Sequence, residues 1–346
     1  MRRGIILVAL LLLMAQPVSA MEFTAPAVTG EAEAFMPADT ESFAEGLWFV
    51  IKTAAAKLQP SIAEAAEICF GLIAIVLLTS LLHNFTGAPK RVVSLVSTLG
   101  IAALLIKPSN TLIHLGIQTV EEISEYGKLF LPVMTAAMAA QGGVTTATAL
   151  YTGTAFFNAL LTSAVSKIIV PMLCVYLCLS VANNAMGEEV LKNLRNFIKW
   201  LMTWSLKIVL YIFSGYMGIT GVVSGTADAA AVKAAKITIS GAVPVVGGIL
   251  SDASEAILVS AGIMKNAAGV YGLLAMLAIC IGPFIRMGAQ YLLLKITSAV
   301  CSVFGVKQAV DMINDFSGVM GFLLAMTGTV CLLLLISTVC FMKGVS

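Results

Sequence analysis

"SGVMGFLLAMTGTVCLLLLISTVCF", residues 317–341, runs for twenty-five positions without a charged side chain. About 20 apolar residues carry a helix across the hydrocarbon core of a bilayer. In water such a helix would have no polar face to present, so the segment reads as a membrane span. Working outward, apolar runs recur back to Ala65, and nine crossings are expected, at 65–86, 91–106, 127–141, 145–166, 168–186, 200–223, 267–285, 288–305 and 317–341. The second and third are short, which leaves open half-spans or a helix pair that does not fully cross. Composition agrees, with 59% hydrophobic and 11% charged residues, against about 25% charged in soluble domains. The expected fold is all-α, a polytopic helical membrane protein with about 7–9 transmembrane helices and one broken helical hairpin. A net charge of +2 without a basic cluster gives nucleic acid nothing to bind, because phosphate backbones need concentrated Lys and Arg.

The first residues, "MRRGIILVALLLLMAQPVSA", combine Arg2 and Arg3 with a short apolar core and the small-residue pattern Val18-Ser19-Ala20. This is the pattern of a signal peptide over 1–20, with cleavage expected after Ala20. The segment 21–64 is then extracytoplasmic, and "ESFAEGLWFVIKTAAAKL" within it reads as an amphipathic helix. The polytopic membrane domain follows over 65–346. All seven cysteines lie in or beside apolar runs, and Cys174 and Cys178 share a helix face with no histidine near them in sequence, so small buried residues are expected rather than a metal site. No cofactor is expected.

Lys and Arg near span ends favour the cytoplasmic side. With the mature start outside, nine spans place Lys90 and Arg91, then Lys192, Arg195 and Lys199, then Arg286, and finally Lys343 inside. The acidic Glu121, Glu122 and Glu125 fall outside. So does the long stretch from Ser224 to Asn266.

That stretch contains "KAAKITISGAVPVVGGILSDASEAILVSAG", Lys233–Gly262. Pro244 cannot donate a backbone hydrogen bond and Gly247-Gly248 tolerates unusual backbone angles, so a helix through this point stops or kinks. Ser251 or Asp252, with Glu255 after it, can start the next one. A broken hairpin over 237–264 is expected, either re-entering the bundle or lying at the interface. Lys236, Gly241, Pro244, Gly247, Gly248, Asp252 and Glu255 are its candidate gate or docking residues. For Asp252 and Glu255 an ordinary helix start is the blander alternative.

Charges inside apolar runs are expensive and therefore informative. Glu67, Lys207 and Lys295 are the candidate intramembrane charges, with Glu67 as a partner for Lys207, while Lys167 can snorkel to an interface. Small residues at four-residue spacing, Ser317, Gly321, Ala325 and Thr329, fit either intrabundle packing or an oligomer contact. No Gly-rich loop with a Walker lysine, no HExxH and no GxSxG is present. The residues describe a bundle that conducts, translocates or scaffolds, and an enzyme is not expected.

The run from Lys233 through Gly272, with Lys236, Gly241, Pro244-Val245-Val246-Gly247, Asp252-Ala253 and Lys265-Asn266, resembles the stage III sporulation protein AE family. "NLRNFIKW", "TGVVSGTADAA" and "QGGVTTATAL" add to the resemblance. It implies a permease-like membrane component of the channel, or feeding tube, between mother cell and forespore, needed for endospore development and late forespore gene expression. The implied location is the mother-cell (outer forespore) membrane. The implied partners are other stage III A proteins, namely an ATPase, small membrane proteins and ring-forming proteins, together with a forespore-membrane protein. A homo-oligomer is compatible with this. An autonomous secondary transporter and a passive scaffold for ring proteins are the alternatives.

Overall fold

The computed structural model describes residues 26, 28, 30–37, 42–57, 59–85, 89–242 and 247–343. The expected signal peptide and Pro244 lie outside these residues. A 3-10 turn, Gly30–Phe35, precedes eight α-helices: α1 Phe43–Lys57, α2 Gln59–Phe85, α3 Lys90–Ala140, α4 Val144–Ala164, α5 Val170–Met186, α6 Glu189–Ala242, α7 Gly247–Ser302 and α8 Lys307–Lys343. No strand occurs among the described residues. A π turn, Val165–Ile169, joins α4 to α5 without a break, just ahead of Pro171, whose missing N–H disturbs the regular ladder.

Among the described residues six stretches are long and apolar enough to cross a membrane: Gln59–His83, Arg91–Ala140, Val144–Met186, Glu189–Thr220, Lys265–Ser302 and Lys307–Lys343. Six of the nine expected crossings therefore collapse into three pairs. Segments 91–106 and 127–141 share α3, 145–166 and 168–186 share the α4–α5 rod, and 267–285 and 288–305 share α7. The turn signal Pro108-Ser109-Asn110 between 91–106 and 127–141 is overridden, and α3 continues through it. Arg286, expected in a cytoplasmic loop, stands inside α7. Six crossings keep Lys90, Arg91, Lys192, Arg195 and Lys199 on one side with Lys307, but move Lys343 to the other. The side of the 221–264 stretch is unchanged.

Local chemistry explains the ends. Ser42 accepts the Glu45 backbone N–H at 3.3 Å to start α1, as the Ser-x-x-Glu spacing predicts. Gly187 closes α5 with φ of 73° and an N–H to the Asn183 carbonyl, a left-handed position that suits glycine. The α1 helix buries Gly46, Val50 and Ala54 on one stripe, where Val50 and Ala54 pack with Phe35 against Ala278 of α7. Its exposed Trp48 and Phe49 suit an amphipathic helix at a membrane surface.

The apolar α8 is the axis of the bundle, with Phe316, Met320, Leu323, Val330 and Leu334 fully buried. Here Ser317 donates to the Tyr291 carbonyl at 3.3 Å and Gly321 faces the Tyr291 ring, so this part of the small-residue stripe serves packing within the chain. Close approach is tight at Gly272 and Gly153, where an added Cβ would stand 2.0 Å from Cζ of Phe130 and from Cε1 of Tyr216, respectively. The outer face of α6 exposes Phe197, Trp200, Trp204, Tyr211, Ile212 and Ile219. Phe197 stacks on Trp200, and Trp200 meets Trp204, as in the aromatic belts of lipid-facing helices.

Candidate functional site: a polar cavity in an apolar bundle

The middle of α3 is unlike its ends. Lys107, Asn110, Thr111, His114, Gln118, Glu121, Glu122, Glu125 and Lys128 are all exposed, over a stretch flanked on both sides by apolar sequence. Lys107, Thr111, His114, Gln118 and Glu122 recur at steps of three and four, one stripe of a helix. Each charge costs about 2.5–3.5 kcal/mol at the centre of a bilayer, so this stripe needs water or protein. It has a cavity of about 1000 Å³ in front of it.

Four walls enclose that cavity. The α3 stripe is the first, Ser61 and Glu64 of α2 the second, and Ile279, Pro283, Arg286 and Gln290 of α7 the third. Glu31, Ala32 and Phe35 of the 3-10 turn form the fourth. That last wall is held by an ion pair: Arg286 Nη2 donates to both carboxylate oxygens of Glu31, at 2.9 and 3.2 Å. Lys57 of α1 lies 5.9 Å above the Phe35 ring and donates to the Ala34 carbonyl at 3.4 Å.

Two prolines stand at the cavity inside continuous helices, Pro108 in α3 and Pro283 in α7. A proline has no N–H for the carbonyl four residues earlier. The carbonyls so released belong to Leu104 and Ile279, and both residues line the cavity. The walls thus supply carboxylates, basic groups, amides and freed backbone acceptors. In membrane proteins such backbone is tolerated where it faces protein or a wet space.

The cavity also marks a level in the bundle. The α2 helix starts beside it and ends beside the turn after α7, where Ser80 donates to the Phe304 carbonyl at 3.0 Å. That 25-residue span is about 38 Å long at 1.5 Å per residue, enough for one bilayer. The 50-residue stretch of α3 is about 75 Å long, twice what a crossing needs. The bundle therefore has two storeys, with the polar stripe between them.

Two further polar clusters sit at opposite ends. At one end Asp315 of α8 receives hydrogen bonds from Arg195 of α6 and from Ser180, Tyr176 and Asn184 of α5, the last at 3.1 Å. Arg195 and Asp315 are only 14% and 13% exposed. At the other end the carboxylate of buried Asp228 in α6 accepts the backbone N–H groups of Thr145 and Thr146 at 3.1 and 2.7 Å. Gly143 precedes α4 with no side chain to cap it, so the cap comes from a different helix. Burial alone would raise the Asp228 pKa, but the hydrogen bonds from Thr146 and Thr145 outweigh it and hold the carboxyl below its ordinary range. Gln141 packs against Gly262 at the same end. Three stretches that resemble the sporulation family, around 141–150, 220–230 and 233–262, thus meet in space.

The residues singled out in the sequence sit elsewhere. Glu67 on α2 and Lys207 on α6 are both exposed on the bundle and are not paired with each other. Lys295 is exposed and donates to Asn314 at 3.1 Å. Lys236 and Gly241 stand in the last turns of α6, and Gly247, Gly248, Asp252 and Glu255 in the first turns of α7. Sequence reasoning missed Glu64, His114 and Gln290, and gave Arg286 a loop instead of a cavity wall. The stripe spacing on α3 and the two in-helix prolines were the available signals. Among the described residues no group of three or more His, Cys, Asp or Glu is placed to hold a metal ion.

The family model described as stage III sporulation protein AE matches residues 40–344. A curated relative, "Stage III sporulation protein AE" of Bacillus subtilis (strain 168), is 19% identical over 234 residues, which cover 68% of this chain and 59% of that protein. The chain thus spans less than two thirds of that relative's length. No solved structure matches. With the match running from before α1 to the end of α8, and a helical membrane bundle in which the three resembling stretches converge, the chain belongs to the stage III sporulation protein AE family.

Proposed function

We propose that this protein is the permease-like integral membrane component of the stage III sporulation channel between mother cell and forespore. Its place is the mother-cell (outer forespore) membrane, with the stage III A ATPase, small membrane proteins and ring-forming proteins as partners, and a forespore-membrane protein opposite. Family membership supports the sporulation setting. The observation that carries the permease reading is the polar cavity between α2, α3 and α7. A scaffold needs no wet chamber inside its bundle, whereas a path does. In this reading α2 crosses the bilayer from the cavity level to the basic side. The cavity then opens at the extracytoplasmic water level, on the same side as the broken hairpin.

Filling the chamber tests the reading. Ala103 and Thr111 line the cavity and are exposed, so tryptophans there occupy the space without entering the core. The Ala103→Trp, Thr111→Trp double variant is expected to accumulate normally and to lower spore formation to the level of a strain without the protein. Normal spore numbers with the chamber filled would leave scaffolding as the better reading.

A further inference from the structure

We infer that the cavity binds a small zwitterionic solute, one that carries a carboxylate and an ammonium group, such as an amino acid or a short peptide. This rests on the reading of the cavity as a wet chamber on a path. The Gln290 side chain lines the cavity, is 4% exposed and has no hydrogen-bond partner among the described residues. One turn earlier on the same face, Arg286 gives Nη2 to Glu31, while its Nη1 has no hydrogen-bond partner among the described residues. Both groups thus present donors that no acceptor among the described residues takes. Together they form a patch that suits a carboxylate.

Across the cavity the chemistry reverses. Glu64 and Glu122 supply two negative charges against the single Lys107, and the carbonyl released by Pro108 supplies a neutral acceptor. An ammonium group with three donors fits that set. A lone anion would leave the acidic wall with one carboxylate more than Lys107 answers, and a lone cation would leave the Gln290 amide and Arg286 Nη1 without an acceptor. A solute with both charges answers both walls. Transporter sites built on interrupted helices divide their ligands in the same way.

The test uses the full chain in lipid nanodiscs, dialysed against a radiolabelled mixture of the twenty amino acids and, separately, radiolabelled trialanine. Saturable binding of one of the two is expected, undisplaced by equal concentrations of acetate or methylammonium alone. Gln290→Leu is expected to weaken it about tenfold or more, the loss of one charge-assisted hydrogen bond. Glu122→Gln, exposed in the cavity and outside the core, should weaken it likewise, while the surface change Lys207→Gln leaves it intact. Absence of saturable binding, or displacement by acetate or methylammonium alone, overturns the inference. Thiol labelling of His114→Cys in a variant lacking the native cysteines separates the two ideas. A labelled, solute-free cavity removes the zwitterion and keeps the chamber, and a protected cysteine removes both.

Discussion

Two arginine–carboxylate pairs hold this protein together, and they are built to opposite ends. Arg195 and Asp315 lie deep between α5, α6 and α8, and Ser180, Tyr176 and Asn184 add hydrogen bonds to the same carboxylate. Arg286 and Glu31 join α7 to a short 3-10 turn, with Glu31 68% exposed and its carboxylate accepting from Arg286 alone among the described residues. The first pair has a saturated carboxylate and two side chains sealed from water. The second leaves hydrogen-bonding capacity unused at the wall of a chamber. A carboxylate sealed in the bundle is surrounded by donors, whereas one at a wet wall can leave that part to water.

The largest effect is expected at the sealed pair. Asp315→Leu strands a buried guanidinium and should cost about 3–5 kcal/mol, while adding Arg195→Met should recover most of that loss. Reversible unfolding in mixed detergent, compared across the two single variants and the double, measures the coupling. Additive losses would mean that the two side chains do not act as a pair.

Next comes the cap at the opposite end. Asp228→Ala removes the acceptor for two amides at the start of α4 and is expected to cost about 2 kcal/mol. The folded carboxyl has the lower pKa, so its contribution is present above the ordinary carboxylate range. It is lost as pH falls through the folded value, below about pH 4. The wild-type protein should therefore lose stability over that acidic window more steeply than Asp228→Ala, as thermal denaturation between pH 3 and pH 6 would register. Parallel curves would refute the cap.

The smallest change in stability is expected at the open pair. Glu31→Gln should cost less than about 1 kcal/mol, since exposed ion pairs contribute little. Its signature is access instead: loosening the 3-10 wall should speed thiol labelling of a cysteine at Gln118. A large stability loss with unchanged labelling would make this pair a second structural lock.

Much of the fold was legible because it depends on length and polarity alone. The uncharged run of α8 can only be a buried or spanning helix, and its place at the axis follows. The pairing of the apolar segments was not legible, since charges at Asn110 to Glu125 and at Arg286 look like loops when nothing shows that they face a chamber. Asp228 and Asp315 were invisible for a related reason. Each works on a helix remote in sequence, and a lone carboxylate carries no pattern. Glu67 and Lys207 stood out by their apolar neighbours, yet helix geometry turns both to the outside.

The most direct test of the chamber is the labelling of His114→Cys, without native cysteines, by a membrane-impermeant thiol reagent added to intact vegetative cells that express the protein, where its extracytoplasmic face meets the medium. The two-storey bundle with its cavity open at the extracytoplasmic level predicts rapid modification from outside, slowed by the tryptophan at Thr111. Protection from outside, with labelling only after the cytoplasmic face is opened, would contradict both the placement of the cavity and the path built on it.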